Sequence, residues 1–116
     1  MYKVRHRETG KVYALKKYSK IFSNRILALR TLRELSILRR LKHPKIIKIY
    51  DILPPSNIND YNELSIVLEY LPFDLRKLYA KNKFLDDEHV VKITYQLLVV
   101  LKYLSSVHIL HRDLKP

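Results

Sequence analysis

The order of strand-like and helical segments constrains the fold of this 116-residue chain more than any other feature. Alternating or mostly apolar runs predict strands at residues 2–7, 12–17, 46–53 and 64–70. Helical spacing predicts helices at about residues 24–41, 72–81 and 87–105. Strands grouped ahead of most of the helices indicate an α+β architecture and not a wound parallel sheet.

Turn and cap residues mark the breaks between these segments. Gly10 is the only glycine in the chain, and it lies where a hairpin between the first two strands needs a tight turn. Ser23 or Asn24 can cap the first long helix, and Pro44 ends it, because proline disfavours helical conformation in the residue before it. Asp86 can cap the last helix in the same way.

Composition limits the class of protein. The chain has 23 Lys and Arg against 11 Asp and Glu, a net charge of +12, which could attract nucleic acid or phosphorylated ligands. The basic residues are scattered, so nucleic-acid binding is the third hypothesis, recognisable by an affinity that falls steeply with salt. The absence of cysteine excludes disulfides and thiolate metal sites. No signal peptide opens the chain, and the apolar run at residues 97–101 is too short to span a bilayer, so we expect a soluble intracellular protein.

Lys16 is expected on a buried face of the second strand. Alternation puts its side chain on the same side as those of Val12 and Ala14, where an unpaired ammonium is costly. On the first long helix, Glu34 falls within an apolar stripe and needs a cation from another element, for which Lys16 is the candidate. Helical spacing also allows a surface pair between Glu34 and Arg30. Periodicity alone leaves both pairings open.

Three short motifs, in the expected order, resemble the signature of the protein kinases. Residues 12–16 resemble the V-A-I-K strand, residues 30–34 the helix whose Glu holds that Lys, and residues 111–116 the start of the H-R-D-L-x-x-x-N catalytic loop. Finer similarity to the mitogen-activated protein kinases lies at residues 30–35, 41–44, 47–52, 73–78, 95–98 and 102–105. The resemblance covers essentially the whole chain, and it favours Lys16 as the partner of Glu34.

A protein-kinase-like α+β fold in two parts is implied by this resemblance. Residues 1–71 would form the small lobe, an antiparallel sheet with one regulatory helix, without the Gly-rich loop that covers the ATP phosphates. Residues 72–116 would form the exit of the hinge and the first helices of the helical large lobe, ending within the catalytic loop. The fold is thus expected to be incomplete, with the Mg²⁺-binding Asn and the D-F-G segment absent.

The resemblance also implies an ATP site at Ala14, Lys16, Leu68, Glu69, Leu71, Asp74 and Lys77. Lys16 would contact the α- and β-phosphates, and Ala14 would cover the adenine. Leu68 matches the gatekeeper, the residue whose size controls the back of the adenine pocket. The backbone groups of Glu69 and Leu71 would bond the adenine edge.

ATP and Mg²⁺ are the implied cofactors, and no metal ligand is assigned within the chain. Asp74 and Lys77 resemble contacts on the ribose side of the nucleotide. Asp74 could equally be a plain helix N-cap, and both roles stay open. His108 and His111 could be interpreted as a metal pair, but no third ligand accompanies them, which disfavours that interpretation.

In the catalytic loop, the resemblance assigns Asp113 as the base and Lys115 as the partner of the transferred phosphate. Lys at position 115 is similar to the residue of serine/threonine kinases. Arg112 beside Asp113 implies control by a phosphorylated activation loop, and His111 would have a structural, regulatory part.

The implied function is that of a mitogen-activated-type protein serine/threonine kinase, which transfers the γ-phosphate of ATP to protein hydroxyls. The 116-residue chain itself is expected to be an inactive N-terminal portion. A kinase-like, non-catalytic binding or regulatory module is the alternative. Partners of the full-length protein would be ATP, protein substrates and an upstream activating kinase, with no specific nucleic acid and no membrane. Its expected location is cytoplasmic, with the nucleus left open.

The helix at residues 87–105 gives an independent argument for an incomplete fold. Its apolar residues surround nearly the whole circumference, which is typical of a helix in the middle of a core. Few residues follow it that could cover it. We therefore expect the isolated chain to expose a large apolar patch.

Overall fold

The computed structural model of the protein describes residues 1–59, 61–80 and 85–116. Its elements in chain order are β1 (Tyr2–Arg5), β2 (Val12–Ser19), α1 (Arg25–Arg40), β3 (Ile49–Leu53), β4 (Glu63–Glu69), α2 (Leu75–Ala80) and α3 (Asp87–Ser106). The strands form one antiparallel sheet in the order β1-β2-β4-β3. The predicted α+β class and the predicted order of elements are confirmed.

Two compact units divide the chain. The first contains Met1–Lys42 and Ile47–Tyr70, and therefore the whole sheet and α1. The second contains His43–Ile46 and Leu71–Pro116, and therefore α2, α3 and the predicted catalytic loop.

The core of the first unit lies on the face of the sheet that α1 covers. Ile66 on β4 is 1% exposed, and Ala14 and Leu68, which are register partners on β2 and β4, are also buried. Leu35 and Leu38 of α1 pack against this cluster. The alternation that buries every second residue of β4 is the pattern expected of a strand with one face in the core.

Several predicted boundaries are wrong by a few residues: β1 ends at Arg5 and not at residue 7, and β2 ends at Ser19 and not at residue 17. The third strand was expected at residues 46–53, but β3 begins at Ile49, because the preceding residues form a turn in which the Ile46 N–H donates to the His43 carbonyl at 3.1 Å. The second helix was expected to begin at residue 72, but α2 begins at Leu75, and its predicted end lies outside the described residues.

The connection between β2 and α1 is held by one asparagine. Asn62 accepts hydrogen bonds from the backbone N–H of Ile21 through its carbonyl, at 3.0 Å, and from that of Phe22 through its side chain, at 2.7 Å. Asn24 then caps α1, since its side chain accepts from the N–H groups of the first turn at 2.8 and 3.3 Å. These bonds fix where α1 starts relative to the sheet.

In the second unit, both ends of α3 are capped. Asp86 accepts from the backbone N–H of His89 at 2.8 Å, as the sequence predicts. At the other end, His108 has a positive φ of 57°, and the N–H of Ile109 donates to the carbonyl of Leu104 at 2.9 Å. This is the hydrogen-bonded reversal that commonly ends helices, with histidine in a position that glycine usually takes.

The surface of α3 carries a stripe of exposed apolar side chains at helical spacing. Val91, Tyr95 and Leu98 are 68%, 67% and 58% exposed, whereas Leu104 is 5% exposed. Among the described residues, no helix combines the length and the apolar character needed to cross a membrane.

We expect the isolated chain to associate through this stripe, because contiguous exposed apolar surface favours contact between molecules. Size-exclusion chromatography should show oligomers that bind an apolar dye, and Leu98→Lys should shift them toward the monomer. A compact wild-type monomer that does not bind the dye would contradict this prediction.

Candidate active site

Lys16 and Glu34 form an ion pair between β2 and α1. The Nζ atom of Lys16 donates to Oε1 of Glu34 at 2.8 Å. The second carboxylate oxygen, Oε2, accepts from the hydroxyl of Tyr18 at 3.2 Å. Both oxygens of Glu34 are thus bonded to β2, so the structure selects the pairing with Lys16 over the pairing with Arg30 that helical spacing also allowed.

The pair is less buried than the sequence predicted. The side chain of Lys16 is 31% exposed and that of Glu34 is 49% exposed. The reason is the orientation of α1, which turns Leu35 and Leu38 into the core and leaves Leu27 40% exposed. Glu34 therefore lies at the edge of the buried face and not at its centre, and its carboxylate stays accessible to solvent.

Lys16 remains protonated in this position. Its partial burial lowers the pKa, but the hydrogen bonds with Glu34 and Tyr18 and the attraction of the Glu34 carboxylate outweigh burial, so the pKa of Lys16 lies above its ordinary 10.5. The ammonium is therefore held in one place and keeps its positive charge, because its burial is only partial. These properties suit a group that binds a polyanion.

Tyr18 is a site residue that the sequence analysis missed. It lies two residues after Lys16 on β2, so the two side chains share a face of the strand. The alternation that placed Ala14 and Lys16 together would have found it, had the strand been extended to its observed end at Ser19.

The other predicted ATP-site residues of the first unit lie on the two central strands. Ala14 on β2 faces Leu68 on β4, and Tyr13 faces Glu69 in the same ladder. The N–H of Glu69 donates to the Lys48 carbonyl at 2.9 Å, which fixes the end of β4. The structure thus brings Ala14, Leu68 and Glu69 to adjacent positions of the sheet.

The predicted nucleotide contacts of the second unit precede or begin α2. Leu71 is 58% exposed. Asp74 accepts from the backbone N–H of Lys77 at 2.7 Å through Oδ1, and its Oδ2 lies 4.0 Å from the Lys77 ammonium. The N-cap role left open for Asp74 is therefore present, while its contact with a ribose remains a prediction.

In the predicted catalytic loop, the carboxylate of Asp113 is paired with the side chain of Lys115. The Lys115 ammonium donates to Oδ2 of Asp113 at 2.9 Å, and both side chains are exposed. The N–H of Asp113 donates to Nδ1 of His111 at 3.3 Å, and Arg112 between them has a positive φ of 61°. These features turn the backbone sharply and present the carboxylate to solvent.

The ionisation of Asp113 follows from this pairing. The hydrogen bond from Lys115, and then its positive charge, lower the pKa of Asp113 below the ordinary 3.8, with a smaller contribution from the charge of His111. The group is a carboxylate at neutral pH and can accept a proton. Among the described residues, no group of three or more His, Cys, Asp or Glu side chains could hold a metal ion.

Comparison with known proteins places these features in a family. The model of the protein kinase domain matches residues 1–116. Mitogen-activated protein kinase 1 of Oryza sativa subsp. japonica is 44% identical over 109 residues, which cover 94% of this chain and 27% of that protein. Mitogen-activated protein kinase 7 of Arabidopsis thaliana is 42% identical over 111 residues, which cover 96% of this chain and 30% of that protein.

The chain spans less than a third of the length of these curated relatives. The match nevertheless includes every described element, from β1 to α3, and the residues that follow α3. The chain belongs to the protein kinase family and, within it, resembles the mitogen-activated protein kinases.

Proposed function

We propose that this chain is part of a protein serine/threonine kinase of the mitogen-activated type. The single observation that carries the proposal is the 2.8 Å ion pair between Lys16 and Glu34, which joins the strand and the helix that the kinase resemblance assigns to phosphate binding. Lys115 in the catalytic loop, which is similar to the residue of serine/threonine kinases, and the names of the relatives support the substrate class.

Lys16 would bind the α- and β-phosphates of ATP. The Lys16 ammonium fits a phosphate ligand, because it stays charged and is held in a fixed position by the Glu34 carboxylate, where it can neutralise phosphate oxygens. Ala14 and Leu68 would supply apolar contact to the adenine, and the backbone of Glu69 and Leu71 its hydrogen bonds. We assign no residue of the chain to Mg²⁺, because the Asn and the D-F-G segment to which the kinase resemblance assigns the metal have no counterpart among the 116 residues.

Asp113 would act as the base in the transfer step. The substrate hydroxyl gives its proton to the Asp113 carboxylate while its oxygen bonds to the γ-phosphorus, and the bond from that phosphorus to the β-phosphate oxygen breaks. Lys115 would move from Asp113 to the transferred phosphoryl group. That movement removes the neighbour that lowers the pKa of Asp113, so the carboxylate becomes a stronger base when the substrates are bound.

The isolated chain would hold only part of this apparatus, so we propose that it transfers no phosphate by itself. The partners of the complete protein would be ATP, protein substrates and an upstream activating kinase. The intracellular location inferred from the sequence stays a prediction.

The test is a chimera in which residues 1–116 replace the matching segment of the Oryza sativa relative. We expect ATP-dependent transfer to protein Ser or Thr by the chimera and none by the isolated chain. Thermal unfolding confirms that the chimera is folded, and Lys16→Met in it should abolish transfer.

A folded chimera that lacks transfer, beside an active parent, would contradict the proposal. It would instead favour a non-catalytic, kinase-like binding module, for which the exposed apolar stripe of α3 at Val91, Tyr95 and Leu98 is the supporting observation.

A further inference from the structure

The carboxylate of Glu34 is held by two side chains of β2 and not by one. Lys16 bonds one oxygen at 2.8 Å, and the hydroxyl of Tyr18 bonds the other at 3.2 Å. A carboxylate bonded through a single oxygen can still rotate about its last side-chain bond. Bonds to both oxygens fix the plane of the group, so Tyr18 supplies a constraint that Lys16 alone cannot.

Tyr18 is itself well anchored. It faces Leu64 in the β2–β4 ladder, and its ring packs against the buried cluster of Ala14, Ile66 and Leu68. An aromatic ring packed in this way has few alternative rotamers, so its hydroxyl has a defined position. The position of Glu34 is thus tied to the core of the sheet through the ring.

The electrostatics of the cluster favour the same arrangement. The Lys16 ammonium lies 4.7 Å from the centre of the Tyr18 ring, within reach of a cation–π interaction. Partial burial raises the pKa of Tyr18 above its ordinary 10.0, with the hydrogen bond from Lys16 opposing the shift and the charge of Glu34 adding to it. The hydroxyl therefore keeps its proton at neutral pH and can donate it to Glu34.

We propose that Tyr18 is a positioning residue, which fixes the Glu34 carboxylate so that Glu34 holds the Lys16 ammonium in the geometry for phosphate binding. Its effect on transfer rests on the proposed function. Its effect on the ion pair does not, because that effect rests on the observed contacts of Glu34 with Lys16 and Tyr18.

The test compares Tyr18→Phe with Tyr13→Phe in the 116-residue chain. Both changes remove one hydroxyl from β2. Tyr13, however, lies on the opposite face of the strand from Lys16 and Tyr18, and its ring packs against that of Tyr50 with 4.9 Å between the ring centroids. The pKa of the Lys16 ammonium, followed by ¹⁵N NMR at pH values where the chain stays folded, should fall in Tyr18→Phe and stay unchanged in Tyr13→Phe.

The second arm uses Glu34→Ala as background. Tyr18 also interacts directly with the Lys16 ammonium, so some fall in the Lys16 pKa will remain without Glu34. If Tyr18 acts mainly through Glu34, the fall caused by Tyr18→Phe should be clearly smaller in the Glu34→Ala background than in the parent. An equal fall in both backgrounds would mean that Tyr18 acts on Lys16 by direct contact alone, and it would overturn the proposal. So would an unchanged Lys16 pKa in Tyr18→Phe alone.

The third arm measures transfer in the chimera. Tyr18→Phe should lower kcat/KM for ATP by about three- to tenfold, the effect of losing one hydrogen bond of ordinary strength, and Tyr13→Phe should not. If Tyr18→Phe lowers the Lys16 pKa but the parent chimera transfers no phosphate, the kinase proposal is rejected and the role of Tyr18 in the ion pair is supported. Normal transfer in Tyr18→Phe would reject the role of Tyr18 alone.

Discussion

Replacing Asp113 with Asn is expected to lower the rate of phosphoryl transfer by about 10²- to 10⁴-fold, the usual contribution of a positioned base. Asparagine keeps the size of the side chain but cannot accept the proton of the substrate hydroxyl. Because Asp113 would act on that hydroxyl and not on the nucleotide, the KM for ATP should change little. Steady-state kinetics of the chimera with a Ser/Thr peptide measure both quantities.

Asp87→Asn is the matched control for this experiment. Asp87 begins α3 in the same unit as Asp113, so the variant removes the same charge from a residue outside the proposed machinery. We expect wild-type transfer and a small loss of stability, since a carboxylate in the first turn interacts favourably with the helix dipole. Equal rates for Asp113→Asn and the parent would remove Asp113 from the role of base.

The comparison of Lys16, Glu34 and Tyr18 shows what a sequence of this kind can predict about a site. Alternation and helical spacing identified the faces on which Lys16 and Glu34 lie, and the kinase resemblance selected between two possible partners for Glu34. Neither could predict that Glu34 is 49% exposed, because the orientation of α1 depends on how Leu35 and Leu38 pack on the sheet. Tyr18 was not predicted as a site residue, because the end of a strand depends on its pairing with a neighbouring strand, here with the first residues of β4.

The catalytic loop shows a different limit. The motif predicts roles for Asp113 and Lys115 from residue types alone, and the structure adds that the two side chains form an ion pair. The local backbone of the loop and of the turn before it could not be predicted in the same way. His108 in that turn and Arg112 in the loop adopt positive φ values of 57° and 61°, which residues other than glycine rarely take. Such conformations are selected by the hydrogen bonds around them, such as the bond from the Ile109 N–H to the Leu104 carbonyl.

Ile66→Ala is expected to cost about 2 to 5 kcal/mol in the free energy of unfolding of the first unit, the range for truncating a buried isoleucine. Ile66 is 1% exposed, on a strand that pairs with neighbours on both sides. Small domains are stable by only about 5 to 15 kcal/mol, so this loss is a large share of the total. Ile66 is also the register partner of Lys16, so the same change should loosen the strand that carries the ion pair.

The measurement is amide hydrogen exchange of β2 and β4 in dilute solution, which reports the opening free energy of the sheet even if the second unit unfolds separately. Ile58→Ala is the matched control, because Ile58 is 77% exposed and its truncation should change stability by no more than about 0.5 kcal/mol. Ile66→Val, which removes one methylene, should fall between the two at about 0.5 to 1.5 kcal/mol. If Ile66→Ala and Ile58→Ala destabilised the sheet equally, the core of the first unit could not be centred on Ile66, and the support it gives to Lys16 and Tyr18 would have to come from elsewhere in the sheet.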